Sequence, residues 1–205
     1  MVEKVFKFRW DINMILGGNN MPQLFFIRHG QTEANVKGIL TGRLETSLTQ
    51  KGIDDAVALS EELTEDFDYY YCSPLTRTHQ TLKAIKGDVE FIVDDRITEV
   101  SSGDWQGKLK SELPEREYDL YKKGLLNPPN GESLQDVDKR IKSFLNDMFS
   151  KYKQDEKILV VTHNAFMRNL KRMFIDKDKV AEPKNLEIFM VDDEMYKDME
   201  KEEER

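Results

Sequence analysis

The chain has 205 residues, a formal net charge of −8 and one cysteine, Cys72, which is length for a single domain with its own core and excludes both an internal disulfide and a cysteine cluster for zinc. No run approaches the roughly 18 apolar residues of a membrane span, and the N-terminal stretch lacks the apolar core of a secretory signal, so the expectation is a soluble cytoplasmic protein with no membrane partner. The negative charge is concentrated at the end, eight acids against three bases over residues 192–205, and no basic stripe with interleaved aromatics points to nucleic acid.

In chain order, residues 1–21 read as an extension in which Val5-Phe6-Lys7-Phe8 alternates like a strand and Gly17-Gly18-Asn19-Asn20 breaks off before Met21. Leu24-Phe25-Phe26-Ile27, bounded by Pro22 and Gly30, is too short for a buried helix and fits a strand covered on both faces. It ends in Arg28 and His29, which then project from the carboxyl edge where α/β sheets bind ligands. Gly30 permits a tight turn or a close backbone approach, and the polar run after it can aim N–H groups at an anion. Thr49 caps a helix over 49–63 with Ile53, Ala56, Val57, Leu59 and Leu63 on one side. A strand over 69–72 follows, then Ser73-Pro74 opens a helix that carries Arg77, His79 and Gln80 and stops before Gly87.

Residues 89–93 read as a third strand, followed by an irregular glycine-punctuated loop with Glu99, Gly103, Trp105 and Gly107. Residues 108–130 have mixed charge and no ligand code. Ser133 with Asp136 opens a long helix whose Leu134, Val137, Ile141, Phe144, Leu145 and Met148 follow helical spacing. Residues 157–162 form a buried strand that ends at His163, as the first ends at His29. A helix over 164–174, a strand over 186–191 and a charged tail over 192–205, frayed or a solvated helix, complete the chain. Strands alternating with helices predict an α/β fold: one domain over 22–191 with a mainly parallel sheet and helices on both faces.

Two of the three histidines end apolar strands and would emerge on the same sheet edge, each beside polar or small residues. His79, inside a helix, reads as surface or packing. Arg28 and Arg77 sit at comparable places, and two converging guanidiniums make a planar, permanently charged clamp for the oxygens of a phosphoryl group. Beside such a clamp one imidazole can attack phosphorus in line while the other neutralises the oxygens, with no acidic metal cage required. Glu99 is a candidate proton donor to the leaving oxygen.

These residues resemble the histidine phosphatase superfamily, which includes the cofactor-dependent phosphoglycerate mutases. Arg28-His29-Gly30-Gln31-Thr32-Glu33-Ala34-Asn35 matches its signature, and Ser73-Pro74-Leu75-Thr76-Arg77-Thr78-His79-Gln80-Thr81 its second block. Glu99 with Gly103-Asp104-Trp105-Gln106-Gly107 is similar to its acid loop, and Val160-Val161-Thr162-His163 to its last block. Four ordered blocks are far more specific than one. The resemblance implies that His29 is the nucleophile and Glu99 acid, then base. It implies that Arg28, Arg77 and His163 bind the phosphoryl group, with Asn35, Thr41, Gly42 and Asn164 beside them, and that no metal or cofactor is needed. Asn164 stands where the family usually has glycine, and would have to adopt its left-handed backbone.

The leading expectation is therefore a metal-independent phosphomonoesterase acting on a small phosphorylated substrate, with a mutase of the same chemistry as runner-up and a non-catalytic phosphate-binding module as the alternative of another class. Val100 and Ser102 replace an arginine and a tyrosine of the mutases, and the segment after Glu99 is shorter than theirs. Lys110 falls where the mutases have a substrate-binding lysine, although a solvated charge is the stronger reading. Neither the substrate nor the oligomeric state can be read from these residues.

Overall fold

A computed structural model of the chain describes residues 22–153, 155–176 and 179–203; the alternation at residues 5–8 lies outside them. The elements are β1 (Gln23–Arg28), α1 (Glu33–Val36), α2 (Gln50–Glu62), β2 (Tyr69–Cys72), α3 (Thr76–Lys86), β3 (Ile92–Val93), α4 (Glu115–Lys123), α5 (Leu134–Lys151), β4 (Lys157–Thr162), α6 (Asn164–Phe174), β5 (Ile188–Val191) and α7 (Asp193–Glu203). The sheet order is β3-β2-β4-β1-β5. β1, β4, β2 and β3 pair in parallel, and β5 runs antiparallel along the outer edge of β1.

Successive residues of β1 point to opposite faces, and both faces are covered. Leu24 and Phe26 join a cluster with Val137, Ile141 and Phe144 of α5 and Phe166 of α6, whereas Phe25 and Ile27 pack with Ala56 of α2 and with Leu82 and Ile85 of α3. The expected mainly parallel sheet with helices on both faces is thus the architecture observed. β1 therefore reads as an unbroken apolar run because neither face is left to water. Each buried Leu, Ile or Phe is worth about 1.5–3 kcal/mol of transfer free energy.

Caps form where hydroxyls precede helical runs: Thr49 Oγ1 accepts from Gly52 N and Ser133 Oγ from Asp136 N. Several elements depart from the sequence reading. β3 shrinks to two residues, each more than two-fifths exposed, because this edge has no cover to bury a longer ladder. β5 begins only at Ile188, since Leu186 takes a φ of 62° while its N–H bonds Arg28 O. Val57 is exposed, because α2 makes its close contacts through Gly52 and Ala56. α4, unforeseen in the mixed-charge segment, packs Tyr121 with Trp105 and Leu113 in a third, smaller cluster, with Tyr118 against it.

The tail differs most. Residues 193–203 form a helix, one of the two states expected for them, but it is docked rather than solvated: α7 buries Tyr196 and Met199 in the main cluster. Tyr196 stacks on Phe149 with ring centroids 4.2 Å apart, and its hydroxyl donates to Asn146 Oδ1 at 2.8 Å. Glu194 and Asp198 are exposed on the far side of α7 from Tyr196 and Met199, so charge density alone misstated the state of the tail. No helix among the described residues is long and apolar enough to cross a membrane.

Candidate active site

The carboxyl ends of β1, β2 and β4 lie side by side, so the residues that follow them, His29, Ser73 and His163, converge. Gly30 then passes so close to α2 that an added Cβ would lie 2.8 Å from Gly52 O. Glycine at 30 is required here for the close approach. Gly30 N donates to Thr81 Oγ1 at 3.0 Å, which fastens the signature turn to α3.

His29 is buried, and its Nδ1 lies 2.7 Å from the carbonyl oxygen of Gly30. A carbonyl only accepts, so Nδ1 carries the proton and Nε2 keeps its lone pair. Burial, then the charges of Arg77 and Arg28, push the imidazole well below its ordinary pKa of 6.5, against a smaller opposing effect of the Gly30 carbonyl. The ring is therefore uncharged at neutral pH.

His163 stands 5.3 Å away, ring centroid to centroid. Its Nδ1 accepts from Arg77 Nε at 3.2 Å, so the proton sits on Nε2, which donates to Ser73 Oγ at 2.6 Å. Burial, then Arg77 and His29, lower its pKa well below the ordinary value too. His163 is wholly buried and meets the cavity through His29 and Arg77, whereas His29, Arg28, Arg77, Asn35, Thr41, Gly42, Glu99 and Asn164 all line the cavity wall.

Arg77 spends three of its five N–H groups on the protein, on His163 and on the carbonyls of Gly42 and Leu44, which leaves two for a ligand. The Gly42 turn has a φ of 54°, the left-handed region in which glycine pays no Cβ penalty. Arg28 donates through Nη1 to Pro183 O, and its buried Nε has no partner. Burial lowers the pKa of both guanidiniums, and Glu99 is the largest influence opposing it.

Glu99 lies at the N-terminus of α6, where its carboxylate accepts from Ala165 N and Phe166 N as well as from Val100 N. That terminus is a natural seat for an anion. The Glu99 loop is held from outside. Arg43 Nε donates to Glu99 O, and Arg140 bridges Glu132 to the carbonyls of Arg96 and Thr98. At Gly103 an added Cβ would meet Pro129 O at 2.1 Å, which makes glycine obligatory in that turn.

Asn35 closes a capping box with Thr32, and its Oδ1 also accepts from Asn185 Nδ2 at 3.3 Å. Asn164 is the first residue of α6 and has no positive φ, so the left-handed turn expected for it does not occur. Its amide donates instead to Glu182 Oε1 and Pro183 O. Lys110 is half-buried and lines the cavity. His79 packs on Phe91, and the Cys72 thiol is buried, its pKa pushed up to about 12.

Five residues of the site escaped the sequence reading: Ser73, Tyr118, Tyr121, Arg168 and Glu182. Ser73 was legible only as a helix cap, although it opens the second block. Tyr118 and Tyr121, three apart on α4, present the one-sided spacing of a helix face. Arg168, a lone arginine in an amphipathic helix, gave no signal. Among the described residues no group of three or more His, Cys, Asp or Glu side chains is placed to hold a metal ion.

The profile of the histidine phosphatase superfamily, branch 1, matches residues 24–190. The chain belongs to this superfamily. Phosphoserine phosphatase 1 of Hydrogenobacter thermophilus is 33% identical over 156 residues, covering 72% of this chain and 74% of that protein. The 2,3-bisphosphoglycerate-dependent phosphoglycerate mutase of Bartonella henselae is 32% identical over 161 residues, 72% of this chain and 78% of that protein. Among solved structures, Bacillus stearothermophilus YhfR superposes with a TM-score of 0.75 at 25% identity, covering 83% and 91% of the two chains. The chain thus has both hydrolase and mutase relatives at nearly equal identity, so choosing between those activities falls to the site.

Proposed function

We propose that the protein is a metal-independent phosphomonoesterase that works through a phosphohistidine on His29. The observation that supports it best is the state of that imidazole, buried, uncharged, protonated at Nδ1 by the constraint of the Gly30 carbonyl, and set on a cavity wall with two guanidiniums. Arg28 and Arg77 hold the phosphoryl oxygens, assisted by Asn35, the Thr41 and Gly42 turn, Asn164 and the second imidazole, His163. Nε2 attacks phosphorus in line, the P–N bond forms and the P–O ester bond breaks, and Glu99 supplies the proton to the departing oxygen. A water then attacks phosphorus, Glu99 takes its proton, and the P–N bond breaks to return free His29 and inorganic phosphate.

Mutase chemistry is the second reading, favoured by Lys110 on the cavity wall. Against it stands Val100, which is buried in the main core where the mutases carry a cationic substrate-binding residue. Ser102, in place of their tyrosine, also leaves a less enclosed pocket from which water is harder to exclude. The assay offers 3-phosphoglycerate with catalytic 2,3-bisphosphoglycerate and follows isomer and free phosphate together. Phosphate release without isomer build-up is expected; isomer formation much faster than phosphate release would replace this reading with the mutase one. A phosphate-binding module without catalysis would release no phosphate even from 4-nitrophenyl phosphate.

A further inference from the structure

Arg168 has no task in the chemistry above, yet its setting is costly. It is 5% exposed and lines the same cavity. Among the described residues it has no carboxylate partner, and its Nε has no hydrogen-bond partner at all. Its guanidinium carbon lies 5.3 Å from the centroid of the Tyr121 ring, and the guanidinium hydrogen-bonds the Tyr121 hydroxyl, which leaves the rest of its N–H groups for a ligand. The wall that shields it is pinned, because Arg172, one turn on, donates to the carbonyl of Lys122 at the end of α4 and to Asn169 Oδ1. A cation buried without an anion is held against its own desolvation, and a bound anion would offset that cost.

The charges around the cavity point to what that anion is. Arg28, Arg77, Lys110 and Arg168 face Glu99 and Glu182, with His29 uncharged. Two of the four cations serve the phosphoryl group, which leaves Arg168 and Lys110. We propose that Arg168, with Lys110, forms a second anion subsite that takes a carboxylate carried by the alcohol half of the substrate, which makes small carboxylated phosphomonoesters the substrate class. This rests on the phosphoryl site assigned above. A planar carboxylate suits a guanidinium fork stacked on tyrosine. A second phosphate would bring another charge against Glu182. Glu182 on the same wall also gives an ammonium group a partner, which favours a phosphorylated amino acid over a phosphorylated hydroxy acid.

The test uses the full-length protein and four probes: O-phosphoserine, O-phosphoethanolamine, which is the same molecule without the carboxylate, 3-phosphoglycerate and 4-nitrophenyl phosphate. The wild-type protein should prefer O-phosphoserine to O-phosphoethanolamine in kcat/KM by about 10- to 100-fold, the scale of one desolvated charge pair. Arg168→Gln should collapse that ratio toward unity, and Arg168→Lys should restore part of it. A wild-type ratio near one overturns the proposal without reference to any variant. A ratio that survives in Arg168→Gln, while all four probes fall together, also overturns it, and returns Arg168 to the phosphoryl clamp or the fold. The preference between O-phosphoserine and 3-phosphoglycerate identifies which source supplies the carboxylate. No turnover of any probe would overturn the hydrolase reading, and this inference with it.

Discussion

The two buried imidazoles should make the protein acid-sensitive in a definable window. His29 and His163 both have pKa values lowered well below 6.5 by burial and neighbouring cations. The unfolded chain takes up a proton at each near pH 6.5 while the folded chain does not, so stability rises with pH between the folded values and 6.5. The contribution is complete above pH 6.5 and is lost as the pH falls below it. At pH 5.5 each imidazole can cost up to about 1.4 kcal/mol, and the pair up to about 2.8 kcal/mol. For a chain of this size that is a fall in Tm of about 6–11 °C. Other groups titrate over the same range, so the assay is a comparison: urea unfolding of wild type, His29→Gln and His163→Gln at pH 7.5 and 5.5. Each variant should lose up to about 1.4 kcal/mol less than wild type between the two conditions. Parallel losses in all three proteins would refute the account of two neutral buried imidazoles, and with it the basis for His29 as a ready nucleophile.

Glu99→Gln should lower kcat/KM by about 10²- to 10⁴-fold for alkyl phosphomonoesters and far less for 4-nitrophenyl phosphate, whose leaving group needs no proton; equal losses would contradict the proton-donor assignment. Tyr196→Ala removes a buried, stacked and hydrogen-bonded aromatic and should cost about 3–5 kcal/mol, lowering Tm by about 10 °C, with kcat of the folded protein within a few-fold. An unchanged Tm would mean that α7 does not dock as described. Turnover should survive exhaustive chelation, and a loss that a divalent ion restores would refute metal independence.

What could be read from the sequence follows from the range over which each signal acts. β1, β4 and the helices after His163 and Ser133 were legible because burial on both faces, or on one face of a long helix, writes an unbroken or periodic apolar pattern. The imidazoles were legible because they follow such strands directly, and Arg77 because it lies in the first turn of the helix after β2. Their hydrogen bonds were not: that His163 leans on Ser73 and Arg77, or that Glu99 rests on the first turn of α6, depends on residues 90, 86 and 66–67 positions apart. The tail was misread because net charge hid the spacing of Tyr196 and Met199. Arg168 was missed because a cation in a helix is ordinarily solvated, and only the docking of α4 over α6 encloses it.

The central claim is tested most directly by trapping the reaction. Rapid quench into base during turnover of 4-nitrophenyl phosphate, followed by peptide mapping, should find an acid-labile phosphoryl group on His29 that forms and decays fast enough to account for kcat. A phosphoryl group on another residue, or turnover retained by His29→Ala, would contradict the account.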